Sequence, residues 1–267
     1  MKLDFLGTGT AMVRQHRHTA FFIETGSSKM LVDTLGGYDI VQQLRSRGMG
    51  IGDLRTLFVS HRHIDHALGF VWLARLIWQA ATLDAGLPQD YRLRVLCSPA
   101  LGNILARGTK SFIPDYYAVA QEYIDFVDLV DGGPITFDAD LTLTPIDLQS
   151  TKAEQFGFIL RAEGRMLAFT GDERVVPERF EKARGCDLLV SQAAGLDADE
   201  ATFKAHAKHQ ATVRETAETA AALEAKALTI THTADEGTGR RERFIAEASQ
   251  HFSGRIEVPE DGETVEV

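Results

Sequence analysis

Short apolar runs alternate with polar turns along this chain, and their lengths predict a mixture of strands and helices. Residues 2–6 and 57–59 are apolar runs of strand length, and residues 67–78 have the spacing of a helix. The most apolar helical stretch, residues 70–83, contains Arg75 and is too short to span a bilayer. We therefore expect an α/β chain without a membrane segment.

The chain resembles itself at an offset of 136 residues (158 − 22), which predicts a duplicated architecture. Residues 22–31 and 158–167 each place two apolar pairs around a turn, as a β-hairpin does. Residues 53–60 and 187–191 then share an acidic start to an apolar strand that ends in serine. Helical segments are expected between these strands, at residues 38–47 and 177–184.

Two related halves of one domain, about 1–133 and 134–267, are the simplest interpretation of this repeat. We expect each half to be a sheet with covering helices, joined near the Asp131-Gly132-Gly133-Pro134 turn. Coincidence is the alternative, because a hairpin followed by a helix is a common arrangement.

The composition is typical of a globular protein that contains reduced cysteines. Of 267 residues, 44% are hydrophobic and 25% charged, and the formal charge of −10 argues against sequence-independent binding of long nucleic acid. Cys97 and Cys186 are too few for a disulfide framework and lie in apolar runs, so we expect buried thiols in a reducing compartment. The first residues enter a strand-like run without a signal-peptide pattern, so we expect a cytoplasmic protein.

A dense cluster of possible metal ligands follows the predicted strand at residues 57–59. His61, His63, Asp65 and His66 fall within six residues, at the junction between that strand and the next helix. His61 and His63 point the same way in an extended chain, and the turn into the helix brings the other two toward the same point. Imidazole and carboxylate donors suit zinc or another divalent ion. A solvated polar loop is the alternative interpretation.

Other polar residues stand at the ends of the predicted strands. Asp33 ends the first hairpin, Asp172 ends the second hairpin, and His232 follows the apolar run 227–230. Strand ends on one edge of stacked sheets are where loops converge on a ligand. A shared edge would therefore gather residues as far apart as His61 and His232.

At these residues the chain resembles the metallo-β-lactamase-fold hydrolases, and within that superfamily it is most similar to the ribonuclease Z-like branch. The segments that carry the resemblance are Leu6-Gly7-Thr8-Gly9-Thr10-Ala11, Met30-Leu31-Val32-Asp33, His61-Arg62-His63-Ile64-Asp65-His66, Phe169-Thr170-Gly171-Asp172, Lys208-His209-Gln210-Ala211-Thr212 and Thr231-His232-Thr233. The resemblance spans nearly the whole chain. It implies an αββα sandwich with a binuclear metal site between the two sheets.

The resemblance also implies a role for each of these side chains. One metal site would contain His61 and His63, and a second site would contain Asp65, His66, Asp172 and His232, with Asp172 bridging two ions. The ions expected are Zn²⁺, or Mn²⁺ or Fe²⁺, one or two in number. Asp65 is expected to orient the metal-activated water. His209 is expected to stabilise the attacked oxygen or to protonate the leaving group.

A first departure from the family pattern affects one metal site. Where the family has a further histidine before a Gln-Phe-Gly-Phe run, this chain has Gln149 ahead of residues 155–158. An amide oxygen is a weaker and harder donor than imidazole, so the site of His61 and His63 is expected to bind metal weakly, to prefer a harder ion, or to bind none. Alternatively, Asp147 or a water molecule completes that site.

A second departure concerns the substrate. Members of the branch that process tRNA carry a long flexible arm between the third-histidine motif and the bridging aspartate. Here only 22 residues separate Gln149 from Asp172 (172 − 149 − 1), and the second hairpin uses most of them. Together with the negative charge, this makes a small anionic substrate the expectation, rather than tRNA or another long nucleic acid.

More than one interpretation stays open for several polar and aromatic residues. Asp33 either hydrogen-bonds a metal-bound histidine or caps the turn at 36–37. His16 and His18 lie in a basic loop that either faces an anionic substrate or is simply solvated. The aromatic residues within 70–126 either line the mouth of a pocket, pack between helices, or form the contact of a homodimer.

Three functions are consistent with these patterns. The leading hypothesis is a metal-dependent hydrolase, a phosphodiesterase that acts on a small phosphodiester or nucleotide. The same metal centre supports the hydrolysis of a lactone, thioester or other carboxylic ester, which is the second hypothesis. The third is a metal-binding homologue with little turnover, because Gln149 in place of a histidine would leave one metal site without an ion.

Overall fold

Two mixed sheets pack face to face in this protein, with helices on both outer surfaces. The computed structural model describes residues 1–26, 28–83, 86–138, 141–235 and 237–267. The strands are β1 (Lys2–Gly7), β2 (Ala20–Glu24), β3 (Lys29–Val32), β4 (Thr56–Phe58), β5 (Leu93–Cys97), β6 (Ile124–Asp128), β7 (Ile135–Asp138), β8 (Leu141–Asp147), β9 (Phe156–Ala162), β10 (Arg165–Phe169), β11 (Leu188–Gln192), β12 (Ala227–Thr231), β13 (Arg255–Glu257) and β14 (Thr264–Glu266). The α-helices are α1 (Asp39–Ser46), α2 (Ile64–Ala67), α3 (Phe70–Thr82), α4 (Pro99–Phe112), α5 (Pro114–Ala120), α6 (Glu200–Phe203), α7 (Val213–Ala222) and α8 (Arg240–Ala248).

The two sheets have the same order of antiparallel and parallel strand pairings. The first sheet has the order β14-β1-β2-β3-β4-β5-β6 and the second has the order β13-β12-β11-β10-β9-β8-β7. From β1 to β6, and again from β8 to β13, two antiparallel pairings are followed by three parallel ones. The predicted αββα sandwich is confirmed. The last strand, β14, crosses back to pair with β1, so the halves are interlocked at one edge.

Both predicted hairpins are confirmed. Phe22 pairs with Leu31 in the hairpin of β2 and β3, and Leu160 pairs with Leu167 in the hairpin of β9 and β10. Ser27, in the first of these turns, lies outside the described residues. The segment predicted as helical at 177–184 is a 3-10 helix, Pro177–Ala183, whose regular backbone is interrupted at Phe180.

Aromatic rings fill the space between the sheets. Phe58 of β4 and Phe158 of β9 meet edge to face with ring centres 4.8 Å apart, and Phe21 and Phe169 do so at 5.4 Å. All four rings are buried, and each belongs to the inward-facing set of its strand. Further apolar layers bury the inner faces of α1 and α3 on one side and of α7 and α8 on the other.

The aromatic residues of the 70–126 region serve mainly in helix packing. Trp78 of α3 contacts Tyr116 of α5 at 4.5 Å between ring centres, and the Arg75 guanidinium lies over both rings. Tyr117 is buried, whereas Phe112 is 69% exposed. Among the described residues, no helix is long and apolar enough to cross a membrane.

Both cysteines are buried and free, as expected from their apolar surroundings. Burial raises the pKa of the Cys97 thiol to about 12 and that of Cys186 to about 11. Both thiols are therefore protonated at neutral pH.

The predicted helix at 67–78 is divided at Gly69 into α2 and α3, and this break positions the histidine cluster. A Cβ atom at Gly69 would lie 1.9 Å from the Thr34 carbonyl oxygen, so only glycine permits this close approach. On the other side of the contact, the Thr34 backbone N–H and hydroxyl both donate to the His66 carbonyl oxygen, at 2.8 and 2.7 Å. The end of β3 is thereby held against α2.

We predict that Gly69→Ala destabilises the fold. The backbone at Gly69 is already helical (φ −61°), so the added methyl acts through its clash with Thr34, at a cost of about 1–3 kcal/mol. The measurement is the urea unfolding midpoint. The matched control is Gly108→Ala within α4, where no atom lies within 4 Å of the new methyl, and it should gain up to about 1 kcal/mol of helix propensity. Equal midpoints for both variants would refute the packing argument.

Candidate metal centre

One buried carboxylate, Asp33, fixes the orientation of the histidine cluster. Asp33 follows β3 in a left-handed conformation (φ 60°) that a non-glycine residue rarely adopts. Its Oδ1 accepts the Ser60 backbone N–H at 2.8 Å, and its Oδ2 accepts His66 Nδ1–H at 2.7 Å. Because Nδ1 carries this proton, the Nε2 lone pair of His66 is left for a metal ion. Of the two interpretations of Asp33, the hydrogen bond to a histidine of the cluster is the one observed.

The same carboxylate acts on His61 through Ser60. The Ser60 hydroxyl donates to Asp33, with its oxygen 2.9 Å from each carboxylate oxygen, and it accepts His61 Nδ1–H at 3.0 Å. The Nε2 atom of His61 therefore carries a lone pair, which is directed at His63 Nδ1, 2.8 Å away. A single buried charge thus orients two imidazoles.

A second carboxylate lies beside His232. This residue follows β12, also in a left-handed conformation (φ 53°), and its Nδ1 atom lies 3.1 Å from Asp172 Oδ1 and 3.3 Å from the Gln210 amide nitrogen. The same oxygen accepts the Gln210 side-chain amide at 2.8 Å. The Nε2 atom of His232 faces Asp65 and His66 and is therefore the atom available to a metal ion.

Three donor atoms form a nearly equilateral triangle, which we call the Asp65 triad (Asp65, His66 and His232). His66 Nε2 lies 3.2 Å from Asp65 Oδ2 and 3.2 Å from His232 Nε2, and His232 Nε2 lies 3.5 Å from Asp65 Oδ2. Tetrahedral zinc, with N and O ligands at about 2.0–2.1 Å, places its ligands about 3.3–3.4 Å apart. The triad therefore fits three ligands of a tetrahedral divalent ion.

A second group of donors, the His61 triad (His61, His63 and Asp172), is less regular. His61 Nε2 lies 2.8 Å from His63 Nδ1 and 3.7 Å from Asp172 Oδ2. At 2.8 Å the two ring nitrogens share a hydrogen bond, so one of them carries a proton rather than a free lone pair. Asp172 Oδ2 belongs to this triad, and its Oδ1 lies beside Nδ1 of His232 rather than among the donor atoms of the Asp65 triad. That Asp172 bridges two ions stays a prediction.

The charges of the two triads are mutually stabilised. Burial raises the pKa of the Asp65 and Asp172 carboxyl groups, but the facing imidazoles outweigh burial and hold both pKa values below the usual range. Burial opposes charging of His66, yet the Asp33 and Asp65 carboxylates raise its pKa well above the ordinary value. Burial and the neighbouring imidazoles lower the pKa of His61. A positive charge is therefore favoured within the Asp65 triad.

The structure does not bring Gln149 to the cluster. Its side chain is exposed, its backbone is left-handed (φ 54°), and its N–H donates to Asp147 Oδ1 at 2.9 Å. Within the described part of the chain, its amide makes no hydrogen bond. The side chain that reaches the His61 triad from this loop is Lys152, whose Nζ lies 3.4 Å from Asp172 Oδ2.

Lys152 and Gln210 are functional candidates that the sequence did not reveal. Gln210 is buried and contacts both Asp172 and His232, and it directly follows His209 in the histidine motif. Its place in that motif was a usable signal, whereas Lys152 lies in a polar loop with no pattern of its own.

His209 lies beside the cleft rather than on the triads, and it is not among the residues that line the cleft. Its side chain is 44% exposed, and Nδ1 is 3.1 Å from Thr151 Oγ1 and 3.9 Å from Glu173 Oε1. The residues on either side of it, Lys208 and Gln210, both line the cleft above the metal donors.

The two N-terminal histidines are held by neighbouring loops. His16 Nδ1 lies 3.4 Å from Glu260 Oε2, and His18 Nε2 lies 3.1 Å from the Ala11 carbonyl oxygen. Neither residue lines the cleft, although Ala11 does.

A cleft of about 500 Å³ opens above the triads. It is lined by Thr10, Ala11, Met12, Arg62, His63, Ile64, Asp65, Lys152, Asp172, Lys208, Gln210 and His232. Arg62, Lys152 and Lys208 place three cations around two carboxylates. The floor therefore suits a divalent ion, and the wall suits an anionic ligand.

Residues 28–233 match the family model described as the beta-lactamase superfamily domain, and the chain belongs to this family. Together with the two triads, this membership makes it a metal-dependent hydrolase. Over its whole length the chain is similar to ribonuclease Z. It is 26% identical to the enzyme of Mycobacterium bovis over 288 residues (100% of this chain, 98% of that protein) and 27% identical to that of Pyrobaculum neutrophilum over 292 residues (99% and 98%).

Solved structures share the fold. A metallo-beta-lactamase fold protein, YhfI from Bacillus subtilis, superposes with a TM-score of 0.78 at 16% identity, covering 99% of this chain and 98% of that one. The short form of human tRNase Z gives 0.74 at 21% identity (100% and 99%). A diphosphatase from the PhnP family gives 0.72 at 18% identity (100% and 97%). The predicted resemblance to the metallo-β-lactamase fold and its ribonuclease Z-like branch is confirmed.

We predict that Asp33→Asn weakens metal binding while the fold is retained. Asparagine tolerates the left-handed backbone of this position but lacks the charge that fixes His66 and, through Ser60, His61. Loss of such a partner lowers metal affinity about 10–100-fold. The measurement is zinc competition against a chromophoric chelator.

The control for this substitution is Asp115→Asn, which removes the same charge from the exposed surface of α5. Its zinc affinity should equal that of the wild type. If the affinity of Asp33→Asn also stays at the wild-type value, Asp33 does not support the centre.

Proposed function

We propose that this protein is a phosphodiesterase that hydrolyses a small phosphodiester or nucleotide. The observation that carries the proposal is the Asp65 triad at the floor of a cleft with a cationic wall. The full-length similarity to ribonuclease Z supports a phosphodiester as the bond cleaved.

The donor set supports Zn²⁺ as the ion, with Mn²⁺ or Fe²⁺ as alternatives. Two imidazoles and one carboxylate, with a fourth position open, are the usual ligands of a catalytic zinc site. A divalent ion bound there would lower the pKa of a coordinated water to about 7 and polarise a phosphoryl oxygen.

The protein's own side chains would then bind and orient the reactants. Arg62 and Lys208 neutralise the phosphodiester from the cleft wall. The ionised Asp65 carboxylate accepts a hydrogen bond from the attacking water and orients it toward phosphorus. Asp172 and Gln210 keep His232 in place throughout.

His209 is proposed as the proton donor for the leaving group. A half-exposed imidazole beside the cleft is suited to transferring a proton between the departing oxygen and solvent. Its contacts with Thr151 and Glu173 hold it on the side of the cleft formed by Lys208 and Gln210.

A small substrate is favoured by the size and charge of the molecule. The segment between Gln149 and Asp172 is largely the hairpin of β9 and β10, which leaves no length for a tRNA-binding arm. The formal charge of −10 opposes an extended contact with nucleic acid, whereas the three cations of the cleft are sufficient for one phosphodiester.

We expect the zinc- or manganese-loaded protein to hydrolyse bis(p-nitrophenyl) phosphate and a dinucleotide in preference to lactones and thioesters. Asp65→Asn should lower kcat/KM by about 10²-fold or more, because it removes both a metal donor and the orienting carboxylate. Asp115→Asn is the matched control and should keep the wild-type value. Steady-state kinetics on the four substrates provide the measurement.

The other two candidate functions are the alternative outcomes. Faster turnover of the lactone or thioester than of both phosphodiesters would assign the protein to carboxylic ester hydrolysis. A stoichiometric ion without turnover of any of the four would indicate a metal-binding homologue.

We predict that His209→Ala slows only the reaction that needs protonation of the leaving group. For the dinucleotide, which releases an alkoxide, kcat should fall by about 10²–10⁴-fold. For bis(p-nitrophenyl) phosphate, whose phenolate leaves unaided, kcat should change little. His206→Ala is the control, since His206 pairs with Glu215 at 3.1 Å outside the cleft. Equal losses on both substrates would exclude His209 as the acid.

A homodimer stays a prediction. Ile104 and Phe112 of α4 are exposed apolar side chains that such a contact would cover. Sedimentation velocity would measure the oligomeric state.

A further inference from the structure

We propose that the Lys152 ammonium takes the place of a second metal ion, so that the centre holds one divalent ion, in the Asp65 triad. This inference rests on the proposed function only for its catalytic consequence. The metal count that it predicts is independent of the substrate.

The position of Lys152 is fixed by three acceptors. Its Nζ lies 3.0 Å from the Lys208 carbonyl oxygen, 3.1 Å from the Asp172 carbonyl oxygen and 3.4 Å from Asp172 Oδ2. An ammonium has three protons, and here each has an acceptor. Two of the acceptors are backbone atoms from separate loops, so the charge stays in place independently of the carboxylate.

The ammonium is next to the oxygen that a second ion would need. Asp172 Oδ2 is the carboxylate atom that faces His61 Nε2 at 3.7 Å, and it therefore belongs to the His61 triad. A divalent ion bound to this oxygen would lie within a few ångströms of the fixed positive charge, in a site of low exposure. Their repulsion is poorly screened there and opposes binding.

The His61 triad is also satisfied without an ion. His61 and His63 share a 2.8 Å hydrogen bond, and the oxygen of Asp172 has the ammonium as its partner. In the Asp65 triad, two imidazole nitrogens and a carboxylate oxygen face one another at 3.2–3.5 Å, close to the spacing of ligands around a tetrahedral ion. Over the ranges that the structure describes, the Asp65 carboxylate has no lysine or arginine partner, whereas the Asp172 carboxylate has Lys152.

The loop that carries Lys152 also carries Gln149, whose side chain is exposed. The loop between β8 and β9 directs Gln149 to solvent, and three residues later it directs Lys152 to Asp172. The same loop therefore keeps Gln149 away from the metal donors and places the positive charge of Lys152 beside Asp172. Because Lys152 also lines the cleft, its charge is available to a phosphoryl oxygen of the substrate.

The test is the number of metal ions bound by the full-length protein. Wild type, Lys152→Met, Lys152→Arg and Lys208→Met are dialysed against buffered Zn²⁺ and analysed by mass spectrometry for zinc per chain. We expect one equivalent for wild type and Lys152→Arg, and two for Lys152→Met. Lys208→Met removes a neighbouring charge from the same cleft and should stay at one.

Manganese provides a second readout that does not depend on activity. In Lys152→Met, two Mn²⁺ ions that share Asp172 should give an exchange-coupled spectrum by electron paramagnetic resonance. Wild type and Lys208→Met should give the spectrum of an isolated ion.

Two results would overturn the inference. The first is two equivalents of zinc, or a coupled manganese spectrum, in the wild type, and this result needs no variant to fold. The second is a folded Lys152→Met, judged by circular dichroism, that still binds one equivalent. If Lys152→Met does not fold, Lys152→Gln replaces it. One equivalent in wild type without phosphodiester turnover would refute the proposed function and leave the metal count intact.

Discussion

The hydrogen bonds of one buried carboxylate support the rest of the centre. Asp33 is buried at the end of β3. Its carboxylate accepts hydrogen bonds from the Ser60 backbone N–H, the Ser60 hydroxyl and His66 Nδ1–H. A buried charge is tolerated only when it is fully hydrogen-bonded, so the same contacts that stabilise Asp33 also orient the imidazoles. The hydrogen bonds that stabilise the loop around Asp33 therefore also prepare the histidines to bind a metal ion.

The paired sheets explain how distant residues come to this place. Parallel strands of both halves end at one edge, and Asp33 and His232 leave it through left-handed turns that direct their side chains inward. A left-handed backbone conformation at a non-glycine residue costs free energy, and the surrounding packing must offset that cost. The apolar layer between the sheets, centred on Phe58, Phe158 and Phe169, supplies that packing.

Much of this fold could be predicted from the sequence because its signals are local. Apolar pairs around a turn specify a hairpin, and the ligand motifs lie directly after strands. The local apolar pattern does not predict the break at Gly69, because Gly69 packs against Thr34, which is distant in the chain. The role of Lys152 was missed for the same kind of reason: its acceptors come from Asp172 and Lys208, and no spacing within its own loop reports them.

The Asp65 triad has a mechanical consequence besides its chemistry. Asp65 and His66 belong to the first half of the chain and His232 to the second. An ion coordinated by all three would cross-link the halves at the cleft, whereas β14 already ties the second half to β1 at the edge of the first sheet. Chelation would then loosen the molecule unevenly, with amide hydrogens around the cleft exchanging sooner than those of the interlocked edge.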